Sequence, residues 1–135
     1  MNVVGLDDKE YSWNLSLYRN NQRATASAGH KKARTLLKEL FPFDPVLEEL
    51  TLPGIRPKLY ADFFIAAQML MVEVQGRQHY EYVPFFHKTK HNYFKAVRRD
   101  NTKLSWCTKN NILLIGLNDQ ESVDEWREQI LQRKA

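Results

Sequence analysis

From Ser27 the apolar residues recur at helical spacing, at Ala33, Leu36, Leu37 and Leu40, until Pro42 stops the pattern after Phe41. Ser27 offers a side-chain oxygen to the first unpaired backbone N–H groups, so a first helix is predicted to begin there, with Lys31, Lys32, Arg34 and Lys38 outward. Residues 46–52 then read as a strand closed by the Pro53-Gly54 turn, and strands at 58–65 and 69–75 follow, joined by Ala66-Ala67-Gln68 as a hairpin. The 69–75 segment is nearly all apolar through Val74, as in a strand covered on both faces. A polar and aromatic loop containing Pro84 leads into a long helix over about 87–109, with Tyr93, Phe94, Val97, Leu104 and Cys107 on its buried side. Asn110-Asn111 stop it, and 112–117 is a buried strand. Val123, Trp126, Ile130 and Leu131 form the inner stripe of a last helix whose first turn is acidic, as the helix dipole favours. Residues 1–24 lack a clear period; alternation of Tyr11, Trp13, Leu15 and Leu17 suits a short strand in an arm that closes over the core.

The order helix, three strands, helix, strand, helix predicts an α/β fold with a mixed central sheet of about four strands flanked by helices. An arm over residues 1–26 precedes a single domain over 27–135, since 135 residues build one well-buried core but not two. The lone cysteine, Cys107, excludes an intramolecular disulfide and a cysteine-based zinc cluster. The first residues lack a basic stretch followed by an apolar one, and no apolar run approaches the roughly 20 residues that span a bilayer. A cytoplasmic protein without membrane association is expected.

The net charge of +4 says little, but its distribution says more. Between residues 88 and 109 lie Lys88, Lys90, Lys95, Arg98, Arg99, Lys103 and Lys109 against the single acid Asp100, while the acids gather near the start, at Glu48 and Glu49, and at the C-terminal end. One basic segment on a mixed surface is the footprint of a nucleic-acid binder; the plainer alternative is a solvated helix face.

Two acids lie within apolar strands: Asp62 in Leu59-Tyr60-Ala61-Asp62-Phe63-Phe64-Ile65, and Glu73 in Val72-Glu73-Val74. A buried carboxylate without a partner costs several kcal/mol, so such positions pair it, protonate it or give it to a metal. On a hairpin the two could share one sheet face and hold one hard divalent cation, which neutralises phosphate charge and activates water. Gln75 lies two residues after Glu73, on the same face, where it can orient that water.

Asp62 with Glu73-Val74-Gln75 resembles the PD-(D/E)xK motif of restriction-type nucleases, Gln75 standing where that family usually has lysine. Glu73-Val74-Gln75-Gly76-Arg77-Gln78-His79-Tyr80, then Arg99-Asp100-Asn101-Thr102-Lys103, then Asn110-Asn111-Ile112-Leu113-Leu114-Ile115 look like the small nucleases related to very-short-patch repair endonucleases, many of them encoded by bacteriophages or mobile elements. The match covers about residues 27–118. It implies a restriction-endonuclease-like fold, Mg²⁺ or Mn²⁺ on Asp62, Glu73 and the Val74 carbonyl, and His79 in the active site. It also implies that Asp100 and Lys103 face the carboxylates and that the host cell is bacterial. Related enzymes carry a glutamate on the first helix about where His30 stands here.

The leading expectation is a metal-dependent DNA endonuclease acting through a metal-activated water on duplex or branched DNA. Asp62, Glu73, Gln75, His79, Asp100 and Lys103 would form its site, and Lys88, Lys90, Lys95, Arg98 and Arg99 would hold the backbone. One site cuts one strand, so a duplex cutter would work as a homodimer. The alternative is a nuclease fold without catalysis that binds nucleic acid or protein, favoured by Gln75 and His30; a third is a non-nucleolytic protein that assembles through its arm. Structural readings also stand for single residues: Glu73 paired with Arg77 or Lys103, Asp100 relieving repulsion among basic neighbours, and Trp13, Trp106 and Trp126 as core.

Overall fold

The computed structural model describes the backbone of residues 1–19, 26–76 and 90–135, and their side chains apart from those of 90–96. A short hairpin of β1 (Asn2–Val4) and β2 (Glu10–Ser12) leads through a 3-10 turn at Leu15–Tyr18 toward α1 (Ala28–Leu40). Strands β3 (Leu47–Thr51), β4 (Tyr60–Ile65) and β5 (Leu70–Gln75) follow, then α2 (Lys90–Lys109), β6 (Leu113–Asn118) and α3 (Val123–Lys134). The four strands β3-β4-β5-β6 lie in chain order: β3/β4 and β4/β5 are antiparallel, and β5/β6 is parallel across α2. The fold is therefore mixed α/β, with three α-helices among the described residues around one four-stranded mixed sheet.

Both caps follow from composition. The Ser27 hydroxyl accepts from the His30 N–H at 3.1 Å, and Ser122 does the same for Glu125 N–H at the start of α3, where Asp124 and Glu125 meet the positive end of the dipole. The sheet is covered on both faces. On one side Ala33, Leu36 and Leu37 of α1 and Trp126 and Ile130 of α3 pack on Phe63, Ile65, Leu70, Val72, Ile115 and Leu117. On the other, Trp106 and Cys107 of α2 pack with Leu47, Leu50, Phe64 and Met71 and with Val3 and Trp13 of the N-terminal segment. Trp13 stands edge-on to Trp106 with centroids 5.3 Å apart, and its Nε1 donates to Thr51 O at 2.9 Å. The Asn110 side chain ties β1 to the end of α2: its Oδ1 accepts from Val4 N–H at 2.7 Å, and its Nδ2 donates to Val4 O at 2.9 Å and Trp106 O at 3.0 Å.

One strand breaks its alternation. Leu47 and Leu50 pack into the same cluster although an odd separation should put them on opposite faces, and so do their partners Phe64 and Ala61. The register is unbroken, but between the pairs Glu48↔Phe63 and Leu50↔Ala61, Glu49 takes a left-handed backbone with φ of 55°. That residue resets the pleat opposite Asp62.

Several expectations need correction. Leu15 and Leu17 lie in the 3-10 turn rather than a strand, and Leu17 is exposed. Leu104 and Leu131 are half exposed, because α2 and α3 each bury a stripe centred on their tryptophan and leave these positions on its margin. Lys32 and Arg34 turn inward: Lys32 Nζ lies 4.2 Å from the Trp126 ring centroid and donates to Glu121 O, and Arg34 reaches Glu48.

Candidate functional site

The β4/β5 ladder runs Ile65↔Leu70, Phe64↔Met71, Phe63↔Val72, so the next opposing residues are Asp62 and Glu73. There the side chains take over the hydrogen bonding. Asp62 N–H donates to Glu73 Oε2 at 2.8 Å, and Val74 N–H donates to Asp62 Oδ2 at 2.9 Å. Glu73 is buried, and its Oε1 accepts from Lys103 Nζ on α2. Burial, and then the Asp62 charge, push the Glu73 carboxyl up to about 7 even though the Lys103 ammonium pulls the other way. One turn along α2, burial and then the Glu73 charge raise the Cys107 thiol to about 12, which makes it an inert core group and no nucleophile.

Alternation along β5 sends Val74 toward α1, where a methyl on Gly29 would stand 3.1 Å from Val74 Cγ1. Gln75 goes to the Glu73 side, its carboxamide lying over Gly116 of β6, where a Cβ would collide with it.

A second group of polar side chains meets the first at Asp62. His30, in the first turn of α1, is 6% exposed and stacks on Phe63 with ring centroids 4.3 Å apart. Its Nε2 lies 2.7 Å from Glu48 Oε1. Arg34, one turn on, donates Nε to Glu48 Oε2 at 2.7 Å and Nη2 to Oε1 at 2.8 Å. Burial alone would raise the Glu48 carboxyl; the hydrogen bonds from Arg34 and His30 outweigh it and hold the group below the ordinary carboxylate range. A ring nitrogen of His30 and carboxylate oxygens of Glu49 and Asp62 all lie within 4.8 Å of one another.

Of the residues singled out in the sequence, Asp62, Glu73 and Lys103 come together, and Gln75 stands on the Glu73 face. Val74 gives its N–H to Asp62. Asp100 is half-buried on α2 three positions before Lys103, and Arg98 and Arg99 are exposed. His79 and Lys88 lie outside the described residues, as do the side chains of Lys90 and Lys95. In the sequence His30 departs from a pattern and Glu48 and Glu49 belong to an acidic patch; in the structure His30 lies between Glu48, which it contacts, and the carboxylates of Glu49 and Asp62. The signal available for them was the one that marked Asp62 and Glu73: acids inside an apolar strand, and a histidine three positions before Ala33 on the inward stripe of α1.

No family model matches the chain, and no solved structure matches it. A stretch of 57 residues, 42% of the chain, is 39% identical to uncharacterized protein 307L of Invertebrate iridescent virus 6. That stretch covers 29% of the viral protein, so the chain spans well under two thirds of this relative's length. Among the described residues, no helix is long and apolar enough to cross a membrane.

Proposed function

We propose that the chain is a metal-dependent DNA endonuclease of the PD-(D/E)xK type, with Asp62 and Glu73 as its acidic pair. The observation that carries the reading is the junction of β4 and β5, where these two carboxylates stand side by side with the Lys103 ammonium on one of them. The element order adds support: a helix, a three-strand antiparallel meander, a helix, and a fourth strand parallel to the third.

The donor set fits a hard divalent cation, since Asp62 and Glu73 offer anionic oxygens from adjacent strands and Mg²⁺ or Mn²⁺ favours such ligands. When bound, the ion would neutralise charge on a phosphodiester and make water acidic enough to attack it. The chain's own residues supply the rest. Val74 N–H orients Asp62, and Asp62 N–H orients Glu73, so neither carboxylate depends on a mobile partner. Lys103 takes up the cationic role that Gln75 cannot fill, balancing the charge on Glu73 and lying where it can stabilise a developing negative charge. Gln75 can position a water but cannot deprotonate it. Arg98 and Arg99, exposed on the helix that carries Lys103, suit contact with a duplex or branched DNA backbone, and cutting both strands would take two copies of the chain.

A second reading, a nuclease-like fold that binds nucleic acid without cutting it, is favoured by one observation: both oxygens of Glu73 are already engaged, by Lys103 and by Asp62 N–H. Incubation of the purified protein with single-stranded, nicked, branched and duplex DNA in Mg²⁺ or Mn²⁺ decides between them. Cleavage of at least one substrate by the wild type, lost in Asp62→Asn and Glu73→Gln while both keep their circular dichroism, supports the nuclease. Wild-type binding without cleavage supports the second reading, and cleavage retained by both variants refutes this site.

A further inference from the structure

We propose that His30, Glu49 and Asp62 form a separate cation site that takes a first-row transition ion such as Zn²⁺ or Mn²⁺ in preference to Mg²⁺. It shares Asp62 with the reading above but concerns binding alone, so it can hold in a protein that cuts nothing.

Three features of the fold build the site. The first is proximity. Ligand atoms around an ion at about 2.1 Å stand roughly 3–4.3 Å apart, and the three groups here already lie within 4.8 Å of one another, so a small rotation of one carboxylate closes the set. The second is the state of the imidazole. Both Glu48 oxygens accept hydrogen bonds from Arg34 and so act as acceptors, which leaves His30 Nε2 to carry the proton of its 2.7 Å contact with Glu48 Oε1. In the neutral ring the lone pair is then on Nδ1, which meets no hydrogen-bond partner among the described residues although the side chain is more than nine-tenths buried. An imidazole whose far N–H is held by a carboxylate is the arrangement that fixes a metal-binding histidine, and Arg34 in turn fixes Glu48 with two hydrogen bonds. The third is the backbone of Glu49. A left-handed φ of 55° is uncommon for any residue but glycine and strains a strand; here it falls on the residue that the register sets opposite Asp62.

Donor chemistry sets the choice of ion. Mg²⁺ prefers an octahedron of oxygens and keeps its waters, whereas Zn²⁺ and Mn²⁺ accept an imidazole nitrogen beside two carboxylates. Three protein ligands also leave positions open, as in metal sites that exchange or do chemistry rather than close a fold.

Calorimetric titration of the intact protein with Zn²⁺, Mn²⁺ and Mg²⁺ separately, repeated on Glu49→Gln and Glu73→Gln, tests the proposal. The wild type should bind Zn²⁺ at least tenfold more tightly than Mg²⁺; Glu49→Gln should lose at least tenfold in Zn²⁺ affinity and Glu73→Gln less than threefold. Glu48→Gln, which loosens the hold on His30, should lose between about ten- and a hundredfold. If Glu49→Gln proves unfolded by circular dichroism, Glu49→Gly removes the same ligand while suiting the left-handed backbone, and the same loss is expected of it. Zn²⁺ affinity unchanged by loss of Glu49, or lost equally in Glu73→Gln, overturns the site, as does equal binding of Mg²⁺. Intact Zn²⁺ binding with no cleavage of any DNA overturns the nuclease reading alone; Mg²⁺-supported cleavage without Zn²⁺ binding overturns this one alone.

Discussion

Replacing Arg34 with methionine should be among the most damaging single changes outside the apolar core. Glu48 is 1% exposed, and Arg34 donates two short hydrogen bonds to it, at 2.7 and 2.8 Å. Arg34→Met keeps much of the side chain's length and apolar contact but takes the guanidinium and its two hydrogen bonds away from a buried carboxylate. Breaking a buried ion pair from one side costs about 3–5 kcal/mol. Arg34 is itself 16% exposed, so water can partly replace it and the lower end, about 3 kcal/mol, is expected. For a chain of this size that lowers Tm by roughly 10 °C. Adding Glu48→Leu should recover most of the loss, leaving about 1 kcal/mol for the His30 N–H that then lacks an acceptor.

The pH dependence follows from the lowered Glu48 carboxyl. A group held below its unfolded value, near 4.5, contributes stability that is present above that pH and lost as pH falls through the folded value. In Arg34→Met the carboxyl is free to protonate, so the gap to wild type should narrow from pH 7 to pH 4. Urea denaturation at both pH values, on wild type, both single variants and the double variant, measures all of this. A single variant within about 0.5 kcal/mol of wild type at pH 7, or a double variant no better than Arg34→Met, would refute the reasoning.

Three further outcomes are expected. Replacing Arg98 and Arg99 together with alanine should weaken DNA binding on every sequence and flatten the salt dependence by roughly one to two units of log affinity per log salt; identical slopes in metal-free titrations would take α2 off the binding surface. Gly116→Ala should displace the Gln75 carboxamide and cut cleavage while costing less than about 1 kcal/mol in denaturant, since the far end of a flexible side chain can move; unchanged cleavage would leave Gln75 without a role. Glu73, raised to about 7, stabilises the fold most fully below its unfolded value near 4.5 and loses that contribution as pH rises through 7. Glu73→Gln should therefore flatten the decline in stability between those limits, and denaturation at pH 4.5, 5.5 and 7 checks it.

The helices and strands were legible where a single period governs the chain. Ser27 and Pro42 bracket α1, the Pro53-Gly54 turn closes β3, and the apolar run before Gly76 is a strand buried on both faces. The meeting of Asp62 and Glu73 was legible too, because two acids in consecutive apolar strands of a hairpin have little choice of neighbour. What escaped was whatever depends on a break in the period. Glu49 takes a conformation that propensity assigns to glycine, so nothing in Leu47-Glu48-Glu49-Leu50 announces that both leucines point one way and that the two glutamates diverge, one to Arg34 and one toward Asp62. Arg34 looked like a solvent-facing cation for the same reason: its partner comes from another element 14 residues away, and its own helix period cannot register that.

The Asn110 amide that closes on Val4 has a consequence for how the molecule is made. The two residues are separated by 106 positions, and ribosomes add about 5–20 residues per second, so the acceptor and donor that Val4 needs emerge roughly 5–20 s after it does. β1 is thus made well before the side chain that completes its hydrogen bonding. During that interval Val3 and Trp13 have neither Trp106 nor the end of α2 to cover them. Chaperone contact on the nascent chain should concentrate on this N-terminal stretch and end once the asparagine has left the exit tunnel.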